Sequence, residues 1–251
     1  DFISIYLGTL GYTMIIKQSP KVNFKAKLYG GPYQINVKGE YFVARHATQK
    51  KIAPYDPYIG LRKLNLNNKI ALDIGANIGS VSIGLAALGC KKIYSVEPGP
   101  MFKRLIENIN INSLNEIVVP TKIGFNIEPG ELFWAEDKNN PGNAHLVNNA
   151  SDIDFKKIPT KFDSDQFIRV PVTTLDKFFN EKMDGEIDII KIDVEGMEWS
   201  VLSGGKNTIS KFLPIVVAET HRVASDMMKY DCMTPMFQFF YNLDYRSFCF
   251  R

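Results

Sequence analysis

The sequence predicts an α/β fold built on an open, mostly parallel sheet, and three observations carry that prediction. Ile70–Gly79, IALDIGANIG, has the pattern of a buried strand, a glycine turn and the start of a helix. Ile187–Glu198, IDIIKIDVEGME, has an isoleucine-rich strand, an acid at its end, a turn at Gly196 and a second helix start. Between and after these segments, short apolar runs alternate with stretches of helical spacing, and several runs end in acids. A strand covered on both faces reads as a continuous apolar run, as these do.

Size and composition set outer limits. A chain of 251 residues is long enough for one sizeable α/β domain with an appendage. Apolar and charged contents of 45% and 23% are ordinary for a globular protein. A net charge of +3 does not demand nucleic acid or an anionic membrane as partner. Cys90, Cys232 and Cys249 are too few and too scattered for a disulfide framework or a zinc cluster. Reduced thiols are therefore expected, in a cytoplasmic location. The chain begins at Asp1 rather than Met, as expected of a fragment or ordered part of a longer protein.

Residues 1–69 are expected to be an N-terminal appendage of hairpin and helix before a core at 70–251. Phe2–Ile16 is apolar but too short to span a bilayer, and it lacks a basic leader and a cleavage site. It suits a helix that packs on the domain or on another subunit, which leaves a homo-oligomer open. Lys25–Ala44 has two extended runs around Gly30-Gly31-Pro32 and Lys38-Gly39. Tyr58–Leu66 suits a helix leading into the first core strand. Tyr33, Tyr41, His46, Tyr55 and Asp56 lie in or near loops here, where an appendage can cover a site or simply pack as a cap.

In the core, Gly75 and Gly79 allow a tight turn and close backbone approach to a ligand. A dinucleotide would put a pyrophosphate on this turn, and the carboxylate of Asp73 would repel it. S-adenosylmethionine carries an ammonium and a sulfonium instead, and suits an acid at that place. Lys92–Val96 is the second strand, ending at Glu97-Pro98. Glu97 follows Asp73 by 24 positions, near the ~20-residue offset at which a second-strand acid meets ribose hydroxyls.

Pro100–Asn112 has helical spacing, Glu116–Thr121 suits a third strand, and Glu131–Ala135 a further extended run. Glu136–Arg169 is the least patterned stretch and is expected to be a long functional loop, with Asn143 and His145 standing out. Thr174 suits the cap of a helix from Leu175. Lys191 and Asp193 are two apart on one strand and share a side. Leu213–Glu219 is the next strand, ending in Glu219-Thr220-His221. Pro235–Leu243 suits a last helix, and Tyr245–Phe250 a final strand that could sit antiparallel at the sheet edge. Asp73, Glu97, Asp193 and Glu219 with His221 are thus expected at the carboxyl ends of strands, where open α/β sheets bind ligands.

DIGANIG at 73–79, VEPGP at 96–100, TLD at 174–176, KIDVEGMEWSVLSGG at 191–205 and VVAETH at 216–221 resemble the FkbM-type methyltransferases. The resemblance covers roughly residues 70–250, and the 191–205 block is its most specific part. It implies a class I Rossmann-like methyltransferase with a mostly parallel seven-stranded sheet, helices on both faces, and S-adenosylmethionine as donor. It also implies O-methylation of a hydroxyl on a sugar, glycan or related natural product. Where such proteins often have a Ser-Asp after the third strand, this chain has Thr121–Asn126, TKIGFN.

The cofactor is therefore expected at Asp73, Gly75, Ala76, Asn77, Gly79, Glu97, Pro98, Gly124, Phe125 and Asp193, with the adenine edge near Gly124 and Phe125. Phe125 serves equally as a core residue. His221 is the first candidate for the base that takes the acceptor's proton, and Asp193 the second. Asp193, Glu195, Glu219 and His221 offer an alternative oxygen-rich set for a divalent ion, a role ranked below structural or acceptor-orienting ones. Two other function classes remain as alternatives. An RNA methyltransferase would need a basic stripe, and the chain has only pairs such as Lys50-Lys51, Arg62-Lys63 and Lys91-Lys92. A catalytically inactive binding module would be expected to lose the donor-site residues, which are present.

Overall fold

The computed structural model describes residues 12–17, 61, 64–137, 140–147, 168–219 and 233–250. The main sheet is built from β1 (Tyr12–Lys17), β2 (Ile70–Ile74), β3 (Lys92–Val96), β4 (Val118–Thr121), β9 (Ile189–Ile192), β10 (Ile215–Glu219) and β11 (Tyr245–Phe250). A smaller sheet uses β5 (Gly124–Phe125), β6 (Gly130–Asp137), β7 (Asn140–Val147) and β8 (Ile168–Thr173). The helices are α1 (Ser80–Ala87), α2 (Phe102–Ile111), α3 (Leu175–Lys182), α4 (Glu198–Ser203), α5 (Lys206–Phe212) and α6 (Met233–Asn242).

The main sheet runs β11-β1-β10-β9-β2-β3-β4. The five strands from β10 to β4 are parallel. Alternation along each buried strand supplies both faces of the sheet. Leu72, Ile74, Ile190 and Ile192 belong to one core with α3, α4, α5 and α6. Ala71, Ile93, Ile189 and Val217 belong to the other with α1 and α2. Leu61, Leu64 and Leu66, at the end of the expected lead-in helix, are buried in that second core.

Two elements of the main sheet differ from the sequence expectation. The apolar N-terminal stretch, expected as a packing helix, enters the sheet as β1 over Tyr12–Lys17. It pairs antiparallel with β10 on one side and β11 on the other. The final strand lies at the sheet edge and is antiparallel to its neighbour, but that neighbour is β1. β11 therefore runs in the same direction as the five parallel strands, and β1 is the reversed one. The β10-to-β11 connection skips one position, and the N-terminal strand fills it.

The expected loop at 136–169 is partly a hairpin. β6 continues through Asp137, and β7 pairs back on it from Asn140. Asn140–Val147, NPGNAHLV, hides its strand character because Asn, Pro and Gly are poor strand formers. β7 is an edge strand, where Pro141 is tolerated. The TLD motif has a capping function. Thr174 Oγ1 accepts from Lys177 N (3.1 Å) at the start of α3, and Leu175 is fully buried. Asp176 accepts from the backbone N–H groups of Asn207 and Thr208 (3.3 and 2.8 Å) at the start of α5.

Because β1 carries ladder hydrogen bonds on both sides, a proline within it should be costly. Met14→Pro removes a donor facing Val217 and Phe248 in register. A lowered unfolding midpoint by calorimetry, by at least about 2–4 °C, is the expected result.

Candidate active site

The glycine turn after β2 is held from two sides. Gly75 N and Ala76 N both donate to Val96 O (3.0 Å each), and Asn108 Nδ2 on α2 donates to Ile78 O (2.7 Å). Gly75 has φ +72°, and a Cβ there would lie 1.8 Å from the Asp193 carbonyl oxygen. Only glycine allows the turn to pass so close to the end of β9. Asn77 also has a positive φ (51°), a conformation asparagine accepts better than most residues.

Under this turn lies a buried polar row. The strand registers set Ser95, Asp73 and Lys191 side by side on β3, β2 and β9. Ser82 on α1 donates to Asp73 Oδ2 (2.5 Å) and lies 2.7 Å from Ser95 Oγ, so Ser95 is the donor in that second bond. Lys191, only 2% exposed, donates to Gly75 O (2.8 Å) and faces Asp73 Oδ1 at 3.3 Å and Asp193 Oδ2 at 3.5 Å. Burial opposes its charge, but Asp73, Asp193 and Glu219 outweigh that effect and raise its pKa. Asp73 is fully buried, so its carboxylate is spent on this row rather than presented openly to a ligand.

Glu97 at the end of β3 is 3% exposed. Its Oε2 accepts from Asn77 N (2.9 Å) and its Oε1 from Gly99 N (2.7 Å), so one acid ties both turns together. Burial pushes its pKa up, and the two backbone bonds with the Lys191 charge offset only part of this, leaving it at about 7. Each carboxylate oxygen keeps a further lone pair for a ligand hydroxyl. Asn77 Oδ1 is buried without a hydrogen-bond partner among the described residues, as a group awaiting a ligand would be.

Asp193, Glu195 and Glu219 each place a carboxylate oxygen within 4.8 Å of the others. Burial, then the charge and hydrogen bond of Asp193, push Glu219 well above the usual carboxylate range. Glu195 has φ 52°, strained for a non-glycine residue. Glu198 braces the loop: its Oε1 accepts from Gly196 N (3.1 Å) and Val194 N (3.4 Å). Three oxygen donors suit a hard cation in chemistry, but Lys191 already answers part of their charge.

The sequence-selected residues Asp73, Gly75, Ala76, Asn77, Gly79, Glu97 and Asp193 thus converge at the carboxyl edge of the parallel strands. Pro98 lies against Gly124, whose Cβ would be 3.5 Å from that of Pro98. Phe125 turns its ring into the core, edge-on to Phe178 at 5.1 Å, so it serves packing there. His221 lies outside the described residues, as do Tyr33, Tyr41, His46, Tyr55 and Asp56. Asn143 and His145 fall on β7. Sequence reasoning gave no role to Lys191, Ser82, Ser95 or Glu198. A lone lysine inside an isoleucine strand was the signal for the first.

The FkbM methyltransferase domain family matches residues 73–247. Among solved structures, an FkbM methyltransferase from Methylobacillus flagellatus aligns with TM-score 0.48 and 16% identity, over 73% of this chain and 39% of that one. TYW2 from M. jannaschii, solved in complex with AdoMet, aligns with TM-score 0.24 and 27% identity over 41% of this chain and 44% of that one. Arabidopsis thaliana protein arginine methyltransferase 10 aligns with TM-score 0.29 and 15% identity over 59% and 28%. This chain therefore spans well under two thirds of each of these proteins. No curated protein matches. No helix among the described residues is long and apolar enough to cross a membrane.

Removing the central cation should leave a buried acid unpaired. Lys191→Met is expected to cost about 3–5 kcal/mol in urea unfolding. Adding Asp73→Asn to it should recover part of the loss, since the two charges compensate each other.

Proposed function

The chain belongs to the FkbM methyltransferase family, and from that premise we propose that it is an S-adenosylmethionine-dependent O-methyltransferase acting on a hydroxyl of a sugar, glycan or related natural product. The observation that carries the donor assignment is Glu97, held between the N–H groups of Asn77 and Gly99 with lone pairs to spare. That arrangement fits the two hydroxyls of a ribose. S-adenosylmethionine, when bound, supplies a methyl group on a sulfonium whose charge disappears on transfer.

The protein's part is mainly alignment, which can contribute several orders of magnitude. The turn from Gly75 to Gly79 brings the backbone up to the donor, and Glu97 fixes its ribose. Asp193, just past the end of β9, and His221, outside the described residues, are assigned to orient the acceptor hydroxyl and receive its proton. The raised pKa of Glu219 suits a carboxyl that donates a hydrogen bond to Asp193 and so fixes its orientation. Glu195 and Glu219 take structural or acceptor-orienting roles, without a resident metal. Acceptor choice is assigned to the 136–169 segment and to residues 1–69 apart from β1 and the core leucines Leu61, Leu64 and Leu66, since the motifs quoted for the family lie outside them.

Ribose hydroxyls donate to the ionised form of Glu97. With its pKa at about 7, donor affinity should fall about tenfold per pH unit below that value and level off above it. In the free protein the sign is opposite: the folded state holds the extra proton between pH ~4.5 and 7, so stability falls as pH rises through that window. Glu97→Gln should flatten both profiles. Calorimetric titration with S-adenosylmethionine across pH 5.5–8.5 measures the first, and no binding at any pH would sink the donor assignment.

A methyl-transfer screen against polysaccharides and small hydroxylated acceptors tests the reaction itself. On the substrate it identifies, Asp193→Ala and His221→Ala should each lower turnover severely, and EDTA should leave it intact. Activity lost to EDTA and restored by Mg²⁺ would reassign Asp193, Glu195 and Glu219 as metal ligands.

A further inference from the structure

Trp134 lies on β6 and is only 8% exposed. It shares a small core with Leu132, Leu146, Val170, Val172 and Met197. Alternation along the strand puts Leu132 and Trp134 on one face, and that face covers the Glu97–Gly99 turn. A Cβ on Gly99 would lie 2.3 Å from Trp134 Cζ2 and 2.6 Å from Cε2, so the indole edge rests directly on the Gly99 backbone. Cη2 lies at 2.6 Å as well, so the benzo edge centred on Cζ2 makes the contact, and Nε1, bonded to Cε2, stands next to that edge. Trp134 Nε1 is buried and has no hydrogen-bond partner among the described residues.

A buried donor left unpaired is costly, and native structures rarely keep one without a purpose. Packing alone would be served by a phenyl ring. Two residues with unpartnered buried polar atoms adjoin the turns that hold Glu97: Trp134, whose ring packs on Gly99, and Asn77 in the facing turn. Gly99 and Asn77 are also the two residues whose N–H groups hold the Glu97 carboxylate. A purine nucleoside supplies both complements, through ring nitrogens and ribose oxygens as acceptors and an amine and hydroxyls as donors. Glu97 itself is 3% exposed, so a ligand that reaches it passes beneath the same cover and meets the indole edge there.

Building on the donor assignment above, we propose that Trp134 is a specificity-determining residue of the donor site, its indole N–H donating a hydrogen bond to the nucleoside part of the ligand. The chain has two tryptophans, so a ¹⁵N-labelled sample gives two indole signals, and Trp199→Phe assigns them. S-adenosylhomocysteine and adenosine should each shift the Trp134 indole proton and slow its exchange with solvent, while L-methionine leaves it in place. Trp134→Phe should weaken S-adenosylhomocysteine roughly tenfold and keep the pH dependence set by Glu97.

An unmoved indole signal with S-adenosylhomocysteine bound would overturn this proposal alone, as would a shift caused by methionine only, or full affinity in the phenylalanine variant. Failure of the unaltered protein to bind S-adenosylhomocysteine would overturn the donor assignment with it. Should Trp134→Phe fail to fold, the spectra of the unaltered protein decide.

Discussion

One buried cation organises the carboxyl edge of the sheet. Lys191 sits on β9, between β2 and β10, and its amine reaches the carbonyl of Gly75. Asp73 lies beside it in register, and Asp193 follows two positions on, just past the end of the strand. Taking these charges out of water is expensive, so the arrangement persists only because each has a partner. The same amine that neutralises Asp73 also anchors the glycine turn. The geometry of the donor turn and the charge of the strand ends are therefore not independent properties.

That coupling explains how several acids crowd into one edge without forcing it apart. Asp73 Oδ2 accepts from Ser82, whose hydroxyl accepts in turn from Ser95, and Glu97 accepts from backbone N–H groups of two turns. Asp193 and Glu219 relieve their repulsion through a shared hydrogen bond, with Lys191 close by. Burial leaves Glu97 near the midpoint of its titration at neutral pH, so a ligand that favours its ionised form does most of its electrostatic work there.

The smaller sheet is what turns this edge into a covered site. Met197 and Val194, on the loop after β9, pack into its core, while Trp134 rests on the turn after β3. The two halves of the edge are thereby bridged by strands that contribute no ladder to the main sheet. At the other end, β1 completes the sheet by filling the place that the β10-to-β11 crossover leaves open.

The sequence by itself determined the parallel core, the order of its strands' acids and the family, because those rest on local patterns. Apolar runs mark buried strands, Gly75 and Gly79 mark a turn, and the spacing from Asp73 to Glu97 reflects one strand–helix–strand unit. Thr174 announced its helix in the same way. Only the tertiary structure decided the pairing of distant segments. Nothing local in Tyr12–Lys17 says that it will lie between β10 and β11, since the hydrogen bonds it needs belong to strands some two hundred positions away. Asn140–Val147 becomes a strand because β6 offers it an edge, against its own propensities. Lys191 is legible as an oddity in an apolar run, but its role appears only when the register sets it beside Asp73 and under Gly75. Burial and partnership are properties of the assembled sheet, and those are what assign a charge its function.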